Sequence, residues 1–490
     1  GYLGGMNDSQ WAEYKNQGYT MDAKVGQTGF EMAFEEYLHG IDGTRYDEVN
    51  KDGATTKSYY LKEPVAGNSV ETTIDIKIQE VAEKALANVM ANITDPEQNT
   101  SEGDDTGLDA EGAAVIVMEC QTGKILACAS YPTYNLATMY EDWAEIEADP
   151  LKPFFNRAFG AEYPPGSSFK MCTLISAMEH RDKYGNIIHP YGTRIEDKGV
   201  FTKYEGFAPT CLAWTSGHFV HTAFDGSPGG IDATDALCYS CNYFFYVLGD
   251  LNNEENMVET CEALGLGVPT GIELVEKTGR MNTAEVKRKI YGSGVNGNFS
   301  AGDRILGAIG QGEYRFTPLQ LCVYASTLAN KGTRMKATFL SRVVSSDYRT
   351  LIKENQPEIA NRLEMAPTTI ESYWTGMRKV ITQMGGTATA YFGGPKDLYG
   401  EGDGVWPLKD EVLVYAKTGT AQHASLGSDH GAFICFAQKK DAAAPDIAIA
   451  LYGEKVAHGS WLAPVAEQIL TTYYEMDAAS EVTAFENQAG

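Results

Sequence analysis

A serine and a lysine three residues apart form the first candidate catalytic pair in this 490-residue chain. Ser167 and Lys170 end the segment 165–170, directly before apolar residues whose spacing predicts a helix. At that separation the lysine amine can reach the serine hydroxyl, and a desolvated amine can act as its base. The helix start also favours a developing oxyanion. Because a serine at a helix start is more often a simple cap, the pair needs further support.

A second polar pair follows the first along the chain. Ser240 and Asn242 flank Cys241, and the aromatic run 243–246 comes directly after them. A Ser-x-Asn triplet is common by chance. Its weight comes from its position after the serine–lysine pair and from helical sequence on both sides, which would hold it rigid.

A third motif closes a predicted strand at 412–416. Lys417 supplies a cation, Thr418 and Thr420 supply hydroxyl donors, and Gly419 leaves the backbone unobstructed, which together suit a substrate carboxylate. An exposed Lys-Thr-Gly turn would have the same sequence. Each motif is weak alone, whereas the three in this order match the signature that β-lactamases and penicillin-binding proteins share.

Cysteines and histidines gather between the first two motifs. Their spacing predicts a structural zinc ion that would brace the site and do no chemistry; the expected ligands are Cys211, His218, His221 and Cys241, with Cys238, Asp225 and His423 as alternatives. Thiolate and imidazole ligands suit zinc better than magnesium or calcium. The competing interpretation is that the cysteines are small buried hydrophobes and the histidines lie in a surface loop.

A sheet and several helices must position these motifs. Apolar alternation and short apolar runs predict strands at 70–76, 113–118, 124–129, 412–416, 432–437 and 447–452. Three- and four-residue apolar spacing predicts helices at 30–43, 78–90, 170–178, 233–248, 257–264, 318–329 and 462–474. Strands at both ends of a helical centre indicate an α+β domain whose sheet is closed by distant segments.

Composition excludes several classes of protein. The chain is 43% hydrophobic and has a formal net charge of -27, which predicts a globular protein and disfavours nucleic acid as a partner. No apolar window is long enough to span a bilayer. The 9 cysteines are odd in number and too scattered for a disulfide framework. Residues 94–111 are predicted to be an exposed acidic insertion.

The chain resembles the class B penicillin-binding proteins over nearly all of its length. Besides the three motifs, the family pattern is visible in the segments 63–79, 123–132, 156–170, 310–320 and 385–390. The resemblance implies an α+β fold of the penicillin-binding and serine β-lactamase type, in which helices flank an antiparallel sheet. We expect the remnant of an N-terminal pedestal domain at 1–68 and the transpeptidase domain at 69–490.

The resemblance also implies roles for the residues of the first two motifs. Ser167 would be the acylated nucleophile and Lys170 its general base. Ser240 would relay a proton to the leaving amine, and Asn242 would hold the substrate amide.

The third motif is expected to recognise the substrate carboxylate. Lys417 would complete the positive site, and Thr418 and Thr420, with Gly419 between them, would bind the terminal carboxylate of a D-alanyl-D-alanine stem or that of a β-lactam. The backbone amides of Ser167 and Thr420 would form the oxyanion hole.

The resemblance therefore predicts a peptidoglycan D,D-transpeptidase that works through a serine acyl-enzyme, needs no cofactor for its chemistry and is acylated by β-lactams. The expected partners are wall stem peptides, β-lactams and a polytopic membrane glycosyltransferase. Family members carry an N-terminal membrane anchor, so we expect the extracytoplasmic face of the bacterial cell membrane. The chain begins with Gly1, and the anchor and most of the pedestal are expected to have been removed.

Two other functions share the same motifs. A serine β-lactamase would deacylate quickly, but it needs only one domain, and the length of this chain favours the transpeptidase. A non-catalytic β-lactam sensor would use acylation of Ser167 as a signal and would be joined to a signalling membrane segment, of which the sequence retains no trace.

Overall fold

The computed structural model describes residues 1–103, 105–394, 405–422 and 427–488, the segment 477–488 by its backbone alone. The chain divides into two compact units. The first consists of Gly1–Thr73, Gly271–Glu276 and Thr338–Pro357, and the second of Ile74–Thr270, Lys277–Ala337 and Glu358–Gly490. The first unit thus extends beyond the predicted pedestal, because it also includes two short segments from the middle of the chain.

Strands and helices alternate irregularly along the described residues. The strands are β1 (Leu3–Gly5), β2 (Lys24–Gly26), β3 (Thr44–Val49), β4 (Thr55–Lys62), β5 (Ser69–Thr72), β6 (Ala113–Glu119), β7 (Ile125–Tyr131), β8 (Thr333–Met335), β9 (Leu340–Val344), β10 (Leu351–Glu354), β11 (Ile359–Arg362), β12 (Val412–Ala421), β13 (His430–Lys439) and β14 (Ile447–Gly453). The α-helices are α1 (Asp8–Tyr14), α2 (Gly29–Ala33), α3 (Glu35–Leu38), α4 (Ile76–Thr94), α5 (Trp143–Ala148), α6 (Arg157–Gly160), α7 (Lys170–Glu179), α8 (Leu212–Gly217), α9 (Ala233–Cys238), α10 (Asn242–Leu251), α11 (Glu254–Ala263), α12 (Ala284–Tyr291), α13 (Ala301–Gly307), α14 (Pro318–Ala329), α15 (Pro367–Thr382) and α16 (Ala463–Gln488). Short 3-10 helices lie at Gly166–Phe169, Val295–Gly297 and Gly459–Leu462.

A five-stranded antiparallel sheet forms the centre of the second unit, in the order β12-β13-β14-β6-β7. Its register pairs Thr418 with Phe433, and Ala450 with both Ile434 and Ile116. Every residue of β14 is buried, which explains why its sequence is continuously apolar and does not alternate. The predicted closure of one sheet by strands from both ends of the domain is confirmed.

Helices cover both faces of this sheet. Buried residues of α4 and α16 pack with alternate residues of the strands, such as Val115, Ile449 and Leu451, in one apolar core. On the other face α14 packs against β6, β13 and β14, and all its residues are buried. This three-layer arrangement buries both faces of the sheet, and the strand order leaves β12 at one edge.

Several predicted elements have different bounds in the structure. The strand predicted at 70–76 ends at Thr72, because Asp75 caps α4, which begins at Ile76. The predicted helix at 233–248 is two helices, α9 and α10, because Ser240 between them has a left-handed backbone with φ +55°. The predicted helix at 30–43 forms only the short α2 and α3. The strand predicted at 412–416 continues to Ala421, so the Lys-Thr-Gly-Thr motif lies within an edge strand and not in a turn.

The first unit has a small core of its own. Strand β9 pairs with β5 on one side and β10 on the other, and Phe34 packs with Leu340 and Val343. The hairpin β3–β4 is exposed along its whole length. Nowhere in the described ranges is there a helix with the length and apolar character to cross a membrane.

Within the second unit, hydrogen bonds tie the acidic segment 94–111 to the residues just before β13. Its described residues are exposed or half-buried, except for the buried Gly107. The backbone amide of Gly107 donates to the Ser428 hydroxyl over 2.8 Å, and the Asp105 carboxylate accepts from the amide of Asp429 over 2.8 Å. Hydrogen bonds thus fix the end of this segment beside the start of β13.

Candidate active site

Ser167 lies where three backbone segments meet. It belongs to the 3-10 helix Gly166–Phe169, which runs directly into α7. A Cβ on Gly166 (φ +53°) would lie 2.5 Å from the carbonyl oxygen of Thr420, and a Cβ on Gly310 (φ +77°) would lie 2.1 Å from that of Gly166. Only glycine permits these approaches. The half-buried Ser167 therefore sits against the end of β12, and its hydroxyl makes no hydrogen bond with a described residue.

Lys170 is fully buried at the start of α7. Its Nζ lies 2.7 Å from Asn242 Oδ1, 2.8 Å from the Ser240 carbonyl oxygen and 3.1 Å from Ser240 Oγ. Burial lowers the pKa of Lys170 to about 8, although the thiols of Cys211 and Cys241 act in the opposite direction. An amine with this pKa is partly neutral near physiological pH, as a general base must be.

The Ser240 hydroxyl joins two buried lysines. Lys417 Nζ donates to Ser240 Oγ over 2.9 Å and to the carbonyl oxygen of Thr418 over 2.9 Å. Burial, together with the charge of Lys170, holds the pKa of Lys417 well below its usual range. Lys170 of the first motif, Ser240 and Asn242 of the second and Lys417 of the third thus form one hydrogen-bonded chain, through which a proton can pass.

The rest of the third motif faces the same region from β12. A Cβ on Gly419 would lie 2.9 Å from the Pro165 carbonyl oxygen. Strand β12 can therefore approach the segment that carries Ser167 only at a glycine. The hydroxyl of Thr418 lies 2.7 Å from that of Thr387. Sequence analysis did not single out Thr387 as a site residue, although it lies in the segment 385–390 that carried the family pattern.

Four metal-ligating side chains meet beside these motifs. Ligand atoms of Asp197, Cys211, His221 and Cys241 all lie within 4.8 Å of one another. The Cys211 sulfur is 3.7 Å from His221 Nδ1 and 3.8 Å from the Cys241 sulfur, and Asp197 Oδ2 is 2.8 Å from His221 Nδ1. Sequence spacing did not reveal Asp197, because it precedes the other three on a separate loop.

Charge is already separated within this cluster. The hydrogen bond between the two thiols is the main cause that lowers the pKa of Cys211 to about 4. Burial alone would lower the pKa of His221, but hydrogen bonds with Asp197 and Cys211 raise it to about 9. These shifts favour a thiolate beside an imidazolium and a carboxylate. Zinc accepts thiolate, carboxylate and neutral imidazole, so His221 would release its proton on binding the ion.

The other predicted ligands lie elsewhere. His218 is exposed, has a left-handed backbone (φ 57°) and contacts the ring of Trp214. The thiol of Cys238 donates to the Lys379 carbonyl oxygen over 3.3 Å. Asp225 pairs with Arg194, and His423 lies outside the described residues. The structure therefore replaces His218 with Asp197 in the candidate ligand set, because the loop carries His218 into solvent.

A helix-covered antiparallel sheet that brings the serine–lysine, Ser-x-Asn and Lys-Thr-Gly motifs together defines a penicillin-binding type of protein, and comparison with known families agrees. Residues 113–471 match the penicillin binding protein transpeptidase domain, and residues 1–72 match the penicillin-binding protein dimerisation domain. The chain belongs to the penicillin-binding protein transpeptidase family.

Two curated relatives of this chain are both peptidoglycan D,D-transpeptidases named MrdA. The chain is 26% identical to the peptidoglycan D,D-transpeptidase MrdA of Acinetobacter baumannii, over 96% of this chain and 63% of the relative. It is 27% identical to MrdA of Escherichia coli strain K12, over 96% of this chain and 68% of the relative. The chain thus spans about two thirds of the length of these curated relatives.

Solved structures agree on the fold. One is a chain from a study described as "Structural coordination of polymerization and crosslinking by a peptidoglycan synthase complex", with a TM-score of 0.76 and 25% identity over 97% of this chain and 74% of that chain. Another is the complex between PBP2 and MreC from Helicobacter pylori, with a TM-score of 0.73 and 23% identity over 97% of this chain and 77% of that chain.

Proposed function

We propose that this chain is a peptidoglycan D,D-transpeptidase of the elongation type, which works through an acyl-enzyme on Ser167. The observation that carries the proposal is the buried hydrogen-bonded chain of Lys170 Nζ, Ser240 Oγ and Lys417 Nζ, in which no described carboxylate takes part. The MrdA relatives favour the elongation branch.

In the proposed reaction the neutral amine of Lys170 takes the proton of Ser167 as Oγ attacks the carbonyl of the penultimate D-alanine. The backbone amides of Ser167 and Thr420 stabilise the oxyanion. Ser240 passes a proton to the terminal D-alanine, which leaves as a free amine. An acceptor amine then attacks the acyl-enzyme, forms the cross-link and restores Ser167.

The same proposal covers substrates, partners and location. Thr418 and Thr420 bind the terminal carboxylate of the stem or the carboxylate of a β-lactam, and Lys417 contributes positive charge. The chain works at the extracytoplasmic face of the cell membrane with a polytopic membrane glycosyltransferase. Two similar solved chains support a role with protein partners: one comes from a study of a peptidoglycan synthase complex, and the other is PBP2 in complex with MreC.

Intact mass after incubation with a penicillin tests the proposal. We expect one adduct per chain, mapped to the peptide that contains Ser167 and stable for hours after free drug is removed. The same enzyme should join two stem peptides in a cross-linking assay. Loss of the adduct within minutes would indicate a β-lactamase, an adduct without cross-linking would indicate a sensor, and an adduct at another residue would refute the mechanism.

We also propose a structural zinc ion held by Asp197, Cys211, His221 and Cys241. The donor set supports it: two sulfurs, one imidazole and one carboxylate at mutual distances that suit a tetrahedral ion. Cys241 lies between Ser240 and Asn242, both of which bond Lys170, so a metal on its sulfur would hold the catalytic turn in place. When bound, the ion would supply rigidity and no step of the reaction.

Metal analysis of protein purified without a His tag or added zinc tests this site. We expect about one equivalent of zinc, and removal by a chelator should lower the melting temperature, because a ligand at a thousand times its Kd stabilises by about 4 kcal/mol. Cys211→Ser should lose the metal, whereas Cys238→Ser, outside the cluster, should retain it. Less than a tenth of an equivalent in the wild type would refute the proposal.

A further inference from the structure

A second cleft lies between α15 and β12, apart from the residues of the candidate active site. Its volume is about 560 Å³, within the range of small-ligand sites. Trp374 and Tyr415 line it, and their ring centroids are 4.9 Å apart. None of the described residues that line this cleft bonds Ser167, Lys170 or Ser240, so the catalytic chain leaves it unexplained.

The charge of Arg378 in this cleft is not matched by the protein. Its Nη1 donates to the carbonyl oxygen of Val414 over 2.9 Å, and no carboxylate of the described residues forms an ion pair with it. The guanidinium is half-buried, and burial lowers the pKa of Arg378. A cation withdrawn from water without a counter-ion is costly unless an anion joins it.

The neighbouring groups add to this positive character. Lys331 Nζ lies 4.9 Å from the ring centroid of Trp374 and has no carboxylate partner in the described ranges. Lys379 is already neutralised by Asp235 over 2.7 Å. Among the described residues that line the cleft, Glu371 is the one acidic group. This local excess of cations stands out in a chain whose formal net charge is -27.

The substrate of the proposed reaction carries carboxylates, and a planar guanidinium can take a carboxylate through two parallel hydrogen bonds. The hydroxyl of Tyr415, which has no hydrogen-bond partner among the described residues, is a further donor in the same cleft. The two aromatic rings offer an apolar surface to an aliphatic chain. The expected ligand therefore combines a carboxylate with short aliphatic groups.

We propose that this cleft is a second binding site, in which Arg378 and Tyr415 hold a carboxylate of a wall stem peptide that is not in the catalytic site. The identity of the ligand rests on the proposed transpeptidase function, because a stem that ends in D-alanine carries both methyl side chains and a terminal carboxylate. The site would bind stem peptides that are already cross-linked or not yet in the catalytic site, while the enzyme reacts with another stem at Ser167.

Titration of an N-acetylated stem tetrapeptide into enzyme already acylated by penicillin tests the site, since the drug blocks the catalytic cleft. We expect saturable binding, read by tryptophan fluorescence and by calorimetry, that is lost when the peptide carboxylates are amidated. Arg378→Met should weaken binding by at least about tenfold, as expected for loss of a charged hydrogen bond. Arg349→Met, at an exposed arginine of the first unit, is the matched control and should bind like the wild type.

Two further variants keep the test decisive if Arg378→Met does not fold. Tyr415→Phe and Lys331→Gln should each weaken binding several-fold and leave penicillin acylation at the wild-type rate. Equal binding of the amidated peptide, binding only of a peptide-free disaccharide, or no binding would each overturn the proposal. Failure of the transpeptidase assignment is read separately, as absence of a stable penicillin adduct or of stem cross-linking. Where no stable adduct forms, the titration is run on the unmodified chain.

Discussion

Replacement of Lys170 with methionine should slow acylation of Ser167 by penicillin about a thousandfold, within the range for loss of a general base. Methionine fills a similar volume, but it cannot accept a proton. In the structure the fully buried Lys170 places its Nζ 3.1 Å from Ser240 Oγ and 2.7 Å from Asn242 Oδ1. The rate is measured with a fluorescent penicillin in a stopped-flow instrument.

The matched control is Lys287→Met, which removes a lysine whose side chain is 17% exposed and pairs with Asp303 outside the site. It should acylate at close to the wild-type rate. If Lys170→Met retains more than a tenth of the wild-type rate, or if Lys287→Met falls equally, Lys170 is not the base.

The pH profile separates a base from a merely structural lysine. A base works when it is deprotonated, and the pKa of Lys170 lies at about 8 because of burial. The wild-type acylation rate should therefore rise about tenfold per pH unit below that value and level off above it. The residual rate of Lys170→Met should not follow this curve.

Replacement of Ser240 with alanine should slow acylation by about a hundredfold, the lower range for loss of one proton-transfer group. Ser240 Oγ is the acceptor that Lys170 and Lys417 share, at 3.1 Å and 2.9 Å. Without it the two buried amines lose their connection, and the leaving group loses its proton donor. Leaving-group protonation should make cross-linking of a D-alanyl-D-alanine stem fall further than acylation by a strained β-lactam.

A control for this variant is Ser176→Ala, at a buried serine of α7 whose hydroxyl accepts from Asn252 Nδ2 over 2.9 Å. It removes a buried hydroxyl that bonds neither lysine, and it should acylate normally. Equal losses in cross-linking and acylation for Ser240→Ala would contradict the relay and leave a packing role.

Local sequence patterns predicted the five strands of the central sheet, part of β5 and most of the longer helices, but not β1–β4, β8–β11 or the helix α15. Strand β14 is continuously apolar because it is buried on both faces, whereas the fully buried α14 also contains Gln320, Ser326 and Thr327. The break at Ser240 could not be seen in this way, because apolar spacing continues through α9 and α10. A left-handed residue other than glycine costs on the order of 1 kcal/mol, and only the packed surroundings hold it.

The sequence by itself determined the family, the sheet and the three motifs, because these depend on residue types at fixed local spacing. Only the tertiary structure decided which groups meet. Lys417 reaches Ser240 across 177 residues, and Asp197 enters the cysteine cluster 44 residues before Cys241. Arg378 of α15 meets a backbone carbonyl of β12 and no carboxylate of the described residues, and only the packing of α15 on β12 determines this. Contacts of this range depend on how elements pack together, and the periodicity of one element records only its own burial.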